Sequence, residues 1–240
     1  MQAHESIEPI LIGHNASSDA SGYLVYSIQR LSYAKALSLQ HELHAKCVSG
    51  EIPGVLMLLE HDPVITLGVK SSSSGNVLAD ADELEAHGVE LVKTDRGGDV
   101  TYHGPGQLVG YPIVRLRELG GDLHGYLRTL EESIISALAD FGLKGVRNGP
   151  AGVWVGEKKI CSIGVAVRKW VTYHGFALNV DPIMPHFQLI NPCGLASGQI
   201  TSMAEQLGAA PDMGEVRRAC ADALSRAFNL KLTPWSSDQP

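Results

Sequence analysis

The sequence predicts an α+β domain built on a mixed, largely antiparallel sheet with helices packed on one side. Several short segments rich in β-branched and aromatic residues are separated by glycine and proline, which is typical of strands. Longer segments carry apolar residues at helical spacing. Between residues 152 and 180, strand-like segments follow one another with only short polar links. That order indicates an antiparallel meander and argues against alternating strands and helices.

The strand segments begin after residue 54 and continue to residue 180. Short polar links join the last three of them, first at Gly156-Glu157-Lys158 and then at Arg168-Lys169-Trp170. The predicted strands are Val55–Leu59, Val64–Leu67, Val89–Val92, Val100–His103, Leu108–Ile113, Gly152–Val155, Lys159–Val167 and Thr172–Val180.

Helical periodicity predicts one helix from about Gly22 to Ala45 and another from Asp122 to Phe141, where Gly142 provides a stop signal. A third helix is predicted over Met213 to Phe228. We expect residues 1–20 and 233–240 to be loosely ordered ends. Residues 21–232 then form a single domain.

Composition excludes several classes of protein. The chain has 240 residues, of which 44% are apolar and 19% charged, as in an ordinary globular domain. A net charge of −7 argues against a nucleic-acid partner. No apolar run approaches the ~18 residues that would span a bilayer, and the first residues do not resemble a secretory signal. The four cysteines are far apart in sequence, so we expect reduced thiols, no membrane association and a cytoplasmic location.

The segment from Arg96 to Gln107 is the first candidate for function. Its Gly-Gly pair would let the backbone approach a ligand closely, and Arg96 would supply a positive charge. Pro105-Gly106 suits the centre of a type II turn, and His103 before it could orient a substrate or transfer a proton. For the Arg-Gly-Gly unit alone, a hairpin with a glycine bulge is the simpler interpretation.

Two further segments each carry a reactive side chain. Lys159 begins an apolar strand in which Lys159, Cys161 and Ile163 would share one face. A lysine there either serves a site or snorkels to water. Cys193 stands between Pro192 and Gly194, in a turn that could expose the thiol to a nucleophilic role. Cys47, Cys161 and Cys220 are most simply buried apolar residues.

Histidines add two weaker signals. His174 lies in a strand beside Gly175, where a core or supporting role is the simpler interpretation. His41 and His44 are three residues apart on a predicted helix, but the sequence places no matching ligands that would make them a metal site.

Together, these segments resemble the lipoyl(octanoyl) transferase family, also called lipoate biosynthesis protein B. The stretches that carry the resemblance are Arg96 to Gln107, Lys159 to Gly164, His174 to Asn179 and Ile190 to Gly194. The resemblance runs from about Val55 to the third predicted helix. It implies a biotin/lipoate-ligase-like catalytic fold. It also implies transfer of an octanoyl or lipoyl group from acyl carrier protein to a lysine of apo lipoyl domains.

The resemblance also implies roles for individual residues. Cys193 matches the cysteine that carries the acyl thioester, and Lys159 matches the lysine that lowers the pKa of that thiol. It implies no metal and no cofactor. The segments that match the acyl-binding pocket comprise Arg96, Gly97, Gly98, Asp99, Val100, Thr101, Tyr102, His103, Ser162, Ile163, Gly164, Gly175, Phe176 and Ala177.

The implied partners are octanoyl-acyl carrier protein and the apo lipoyl domains of 2-oxoacid dehydrogenase complexes and of the glycine cleavage H protein. Since acyl carrier proteins are acidic and this chain is itself negative, docking requires a local basic face. Alternatives remain open: a lipoate-protein ligase that adenylates its substrate, a non-catalytic acyl-binding module, and a Cys/His hydrolase. The residues considered for the basic face are Arg115, Arg117, Lys144 and Arg147, together with Lys158, Arg168 and Lys169, which are expected at hairpin ends near Lys159.

Overall fold

A computed structural model of the chain describes residues 23–71, 74–191 and 199–230. The strands in these ranges are β1 (Leu24–Leu31), β2 (Gly54–His61), β3 (Val64–Leu67), β4 (Glu90–Lys93), β5 (Val100–His103), β6 (Gln107–Val114), β7 (Gly145–Val146), β8 (Gly152–Val155), β9 (Lys158–Arg168) and β10 (Val171–Asn179). The α-helices are α1 (Tyr33–Ser49), α2 (Ala81–Ala86), α3 (Leu123–Ala139), α4 (Met203–Leu207) and α5 (Met213–Phe228).

Seven strands form one large sheet in the order β1-β2-β6-β10-β9-β8-β7. Among the strand pairs that the described residues form in this sheet, only the first, β1 with β2, is parallel, and α1 connects these two strands. The remaining pairs are antiparallel, including the predicted meander β8-β9-β10. The mixed, largely antiparallel sheet is therefore confirmed, but its first edge is a parallel strand–helix–strand unit.

A second sheet of three strands, in the order β4-β3-β5, lies apart from the large one. Its central strand β3 runs parallel to β4 and antiparallel to β5. Apolar residues such as Ile65 and Tyr102 form a separate core beneath it. The small sheet matters for the site because the loop from β4 to β5 carries residues 94–99.

Helices cover both faces of the large sheet, so the expectation of helices on one side was wrong. Neighbouring residues of β2 point to opposite faces, as the period of a strand requires. Leu56 and Leu58 join the core beneath α3 and α5, whereas Val55 and Met57 join the core beneath α1. The sequence of a strand buried on both faces is one continuous apolar run, and this pattern does not show whether helices cover one face or both.

The second and third predicted helices are confirmed as α3 and α5. Each begins at an aspartate whose carboxylate accepts hydrogen bonds from the first-turn amides. Asp122 receives the amides of His124 and Gly125, each at 2.9 Å. Asp212 receives the amide of Glu215 at 3.0 Å. None of the helices in the described ranges has the length and apolar character needed to cross a membrane.

The first predicted helix was wrong over its first half. Residues 24–31 form β1, and the helix begins only at Tyr33. The segment carries apolar residues at spacings compatible with either structure, and its parallel pairing with β2 decides the outcome. That pairing is a long-range contact, which local periodicity does not report.

Candidate active site

A cavity of about 590 Å³ lies against β9 and β10 of the large sheet, and we call it the central cavity. The loop before β5 and the start of α1 also contribute to its wall. It brings together predicted substrate-binding residues from three separate segments. Those that line it are Arg96, Gly97, Gly98, Asp99, Val100, Thr101, His103, Ser162, Ile163, Gly164, Gly175, Phe176 and Ala177.

Tyr102, also predicted for the pocket, points elsewhere. Its ring packs against Phe187 in the core of the small sheet, and its hydroxyl bonds His186 at 2.9 Å. The alternation of β5 explains this placement, because Thr101 and His103 take the side of the strand that faces the cavity.

Arg96 holds the loop in shape. Its guanidinium donates to the Thr66 carbonyl at 2.6 Å and to the Thr66 hydroxyl at 2.9 and 3.0 Å. It also donates to the Gly97 carbonyl at 3.1 Å, and the Gly97 amide bonds the Val165 carbonyl at 2.9 Å. The sequence predicted a positive charge for a ligand. The structure shows an arginine that ties β3, the glycine pair and β9 together.

The predicted type II turn is present, with Gly106 at φ +80° and the Gln107 amide bonded to the Gly104 carbonyl at 3.2 Å. His103 before the turn is buried and bonds the Gln107 side chain at 2.8 Å. Burial, with the neighbouring His61 and Arg96, holds the pKa of His103 well below its usual value. His103 is therefore a neutral wall residue at neutral pH.

Lys159 lines the central cavity and is only 4% exposed, so it does not snorkel to water. Lys159 pairs with Trp154 and Cys161 pairs with Val153, which leaves Ile160 as an extra residue in β9. Such a bulge changes the direction of the side chains beside it. Lys159 and Cys161 consequently do not share one face: Lys159 reaches the cavity, whereas Cys161 is in the core.

Cys193 lies outside the described residues, which end before it at Asn191 and resume after it at residue 199. On one side, the Asn191 amide donates to the Asn76 carbonyl at 2.8 Å. On the other side, Ile200 lines the central cavity and forms an isolated bridge with Lys159. The chain that carries Cys193 therefore returns to the described structure directly beside Lys159.

A series of buried hydrogen bonds holds Thr201 beside Lys159. The side-chain amide of Gln107 donates to the side-chain carbonyl of Asn179 at 2.9 Å, and the side-chain amide of Asn179 donates to the Thr201 backbone carbonyl at 2.9 Å. The Thr201 backbone amide then donates to the Lys159 carbonyl at 3.0 Å. Asn179 and Thr201 are both buried, so these bonds fix the position of the Lys159 backbone.

His174 closes part of the cavity wall and is almost fully buried. Its Nε2 bonds an Asp95 carboxylate oxygen at 2.9 Å, and the Tyr173 hydroxyl donates to the other oxygen. Burial lowers the pKa of His174 despite Asp95. Burial also acts to raise the pKa of Asp95, but hydrogen bonds from His174 and Tyr173 hold it below its usual value. A neutral His174 therefore donates Nε2–H to a charged Asp95.

The other cysteines are unsuited to nucleophilic chemistry, as the sequence predicted. Cys47, Cys161 and Cys220 are all buried. Burial raises the pKa of the Cys161 thiol to about 12, and it also raises the pKa of the Cys47 and Cys220 thiols. A thiol must ionise to react, so these three stay inert at neutral pH.

Some of the residues considered for a basic face are bound to carbonyls or carboxylates, and others lie far from Lys159. Arg115 bonds two backbone carbonyls and Glu118, and Arg147 bonds Glu131 and Glu132. Arg168 and Lys169 were expected near Lys159, and this was wrong. They lie at the opposite end of β9, about 30 Å away at the usual rise per residue.

Sequence reasoning missed several residues that line the central cavity. Most come from segments without a recognisable motif: Tyr33, Lys70, Val109, Tyr111, Leu123, Leu127, Pro150, Ala151 and Ile200. His174 belongs to the stretch from His174 to Asn179, but the sequence favoured only a core or supporting role for it. In the described ranges, no group of three or more His, Cys, Asp or Glu side chains is arranged to hold a metal ion.

Comparison with known proteins gives consistent results. Residues 32–225 match the family model described as the lipoyl protein ligase A/B catalytic domain. An octanoyltransferase of Chloroflexus aggregans is 47% identical over 211 residues, covering 86% of this chain and 95% of the relative. An octanoyltransferase of Geobacter metallireducens is 45% identical over 218 residues, covering 90% and 99%.

Solved structures with low sequence identity share the fold. A lipoate-protein ligase A bound with ATP superposes with a TM-score of 0.71 at 17% identity, covering 90% of each chain. A putative lipoate protein ligase from T. acidophilum with bound lipoic acid gives 0.70 at 18% identity, covering 89% of this chain and 88% of the other. A biotin protein ligase from Aquifex aeolicus gives 0.53 at 13% identity, covering 85% and 70%.

Proposed function

This chain belongs to the lipoyl protein ligase A/B catalytic domain family and acts as an octanoyltransferase in protein lipoylation, and we propose that it works through an octanoyl thioester on Cys193. The donor is octanoyl-acyl carrier protein, and the acceptor is a lysine amine of an apo lipoyl domain. The domain occupies residues 21–232 and acts in the cytoplasm.

The observation that carries the proposal is the placement of Lys159. Lys159 is 4% exposed and lies in a cavity lined by apolar residues such as Ile163, Phe176 and Ala177, which places its ammonium beside the space that we assign to the acyl chain. Ile200, which follows the segment that holds Cys193, pairs with Lys159. A Cys193 thiolate close to Lys159 would be stabilised by the lysine ammonium, which would lower the pKa of the thiol.

Two acyl transfers make up the reaction. In the first, the Cys193 thiolate attacks the octanoyl carbonyl, a new C–S bond forms, and the bond to the carrier thiol breaks. In the second, the acceptor amine attacks the enzyme thioester, a C–N bond forms, and Cys193 leaves as thiolate. The amine loses one proton in this step, and we assign the handling of that proton to Lys159. The thioester is already activated, so neither step requires ATP.

The central cavity suits the acyl chain. Apolar contacts are provided by Ile163 on β9, the strand that also carries Lys159, and by Phe176 and Ala177 on the neighbouring β10. The Gly97 backbone bonds Val165 of β9, and Arg96 holds it at this position in the wall. This arrangement supports one site that serves two large partners in turn, because only the acyl chain needs to enter the protein.

Carrier docking is assigned to a basic residue at the central cavity. Lys70 lines the central cavity and is exposed, so it can meet an acidic carrier at the cavity. Lys169 lies about 30 Å from Lys159 along β9 and cannot serve the same role.

Intact-mass analysis tests the thioester directly. After incubation with octanoyl-acyl carrier protein and no nucleotide, we expect a mass increase of one octanoyl group. Cys193→Ala should abolish the increase, while Cys161→Ala, which changes a buried core thiol, should retain it. An adduct that survives in Cys193→Ala would falsify the assignment. Product that forms only with ATP and magnesium would instead favour a ligase.

A further inference from the structure

A second cleft lies on the other side of the wall that His174 forms. This hairpin cleft, of about 530 Å³, is lined by His41, His44, Ala45, Val48, Ser49, Asp95, Arg168, Lys169 and Tyr173. The two cavities meet at one hydrogen-bonded pair. His174 lines the central cavity, Asp95 lines the hairpin cleft, and 2.9 Å separates His174 Nε2 from the carboxylate oxygen.

The wall stands at the end of the central cavity that is far from Lys159. His174 pairs with Val165 on β9, six residues beyond Lys159, which corresponds to about 20 Å between backbones. Both side chains line the cavity, so the space between them is shorter than that distance. An acyl chain whose carbonyl reacts beside Lys159 therefore extends towards His174.

The fold holds the His174 imidazole in this position at a cost in backbone strain. His174 has φ +55°, a conformation that residues other than glycine rarely adopt. Its backbone amide donates to the buried side chain of Gln40 at 2.9 Å, and its ring packs against Tyr111 and Tyr173. Contacts from α1, β6 and the loop before β5 thus fix a ring that blocks the way into the hairpin cleft.

We infer that the His174–Asp95 pair is the end stop of the acyl cavity and limits the length of the acyl chain that the enzyme transfers. Removal of the ring would join the central cavity to the hairpin cleft and admit longer chains. The inference rests on the proposed octanoyl transfer, but it does not depend on the Cys193 thioester.

His174→Gly is the most direct test, since glycine adopts φ +55° without strain while removing the ring. Octanoyl and dodecanoyl carrier donors would compete for one apo lipoyl domain, and the masses of the acylated domain would give the product ratio. We expect the dodecanoyl-to-octanoyl ratio to rise by about tenfold or more over wild type. Asp95→Ala, which frees the ring without deleting it, should give a smaller rise.

Asn229→Gly is the matched control. Asn229 also has a positive φ, of +51°, but it caps the end of α5 and should leave the product ratio unchanged. A ratio within twofold of wild type in folded His174→Gly would overturn the inference. So would loss of both products with the fold retained. If His174→Gly does not fold, the shorter His174→Asn must raise the ratio, because asparagine tolerates positive φ.

The readout separates this inference from the proposed thioester. The product ratio counts acylated lipoyl domain, whatever intermediate forms, whereas the mass adduct on the enzyme reports Cys193 alone.

Discussion

Substitution of Gly164 should separate the shape of the cavity from the stability of the fold. Gly164 lies on β9 and faces the Gly97 loop across the central cavity wall. A Cβ at this position would stand 2.6 Å from the Gly97 carbonyl oxygen, whereas an ordinary van der Waals contact begins at 3.4 Å. In Gly164→Ala the loop must therefore retreat by about 0.8 Å, the difference between these distances.

Two effects follow from this displacement. Overpacking of this kind costs about 1–3 kcal/mol, which corresponds to roughly 2–4 °C in Tm for each kcal/mol in a domain of this size. A shift of nearly 1 Å in a binding wall lowers activity by up to about 100-fold. We expect the rate of octanoyl transfer by Gly164→Ala to fall about 10- to 100-fold, measured from acylated lipoyl domain over time.

Gly156→Ala provides the matched control. Gly156 has φ +58° with nothing near its missing Cβ, so alanine there costs about 1–2 kcal/mol through backbone strain alone. Both variants should lose comparable stability in thermal unfolding, and only Gly164→Ala should lose activity. Wild-type turnover in Gly164→Ala, or equal losses of turnover in the two variants, would refute the reasoning.

Three further predictions concern charge. Lys159→Met should move the pH profile of Cys193 alkylation by iodoacetamide to higher pH, since the thiolate loses its cation; an unchanged profile would remove Lys159 from the mechanism. Lys70→Glu should raise KM for octanoyl-acyl carrier protein several-fold, with Lys169→Glu as the control at the far end of β9. Equal effects of the two reversals would rule out local docking. Burial lowers the pKa of His61 from 6.5 to about 4. The unfolded chain therefore binds more protons between these pH values, and stability declines as pH falls from 6.5 towards 4. His61→Gln should flatten that decline in urea unfolding, and a decline as steep as in wild type would assign it to other groups.

Local signals in the sequence were sufficient for the features that depend on neighbouring residues. The helices α3 and α5 follow from apolar spacing and from aspartate caps, and the turn at Pro105-Gly106 follows from the backbone preferences of its two residues. The short strands of the meander were also predicted, because their links are too short for any other connection.

The candidate site was predictable only as a set of segments. The motif-bearing stretches at Arg96, Lys159 and Gly175 do line one cavity, but residues such as Tyr33, Val109 and Tyr111 reach it from segments without a motif. The role of Arg96 also required the fold, because its partner Thr66 is thirty residues away in another strand.

What the tertiary structure decided depends on pairing between distant strands. Residues 24–31 become β1 because β2 accepts them as a parallel neighbour, and the extra residue Ile160 changes the direction of Lys159 because β8 sets the register. The length of β9 places Lys159 and Lys169 at opposite ends of the sheet although they are ten residues apart. Periodicity reports which face a residue prefers, but strand pairing in the folded chain determines which residues meet.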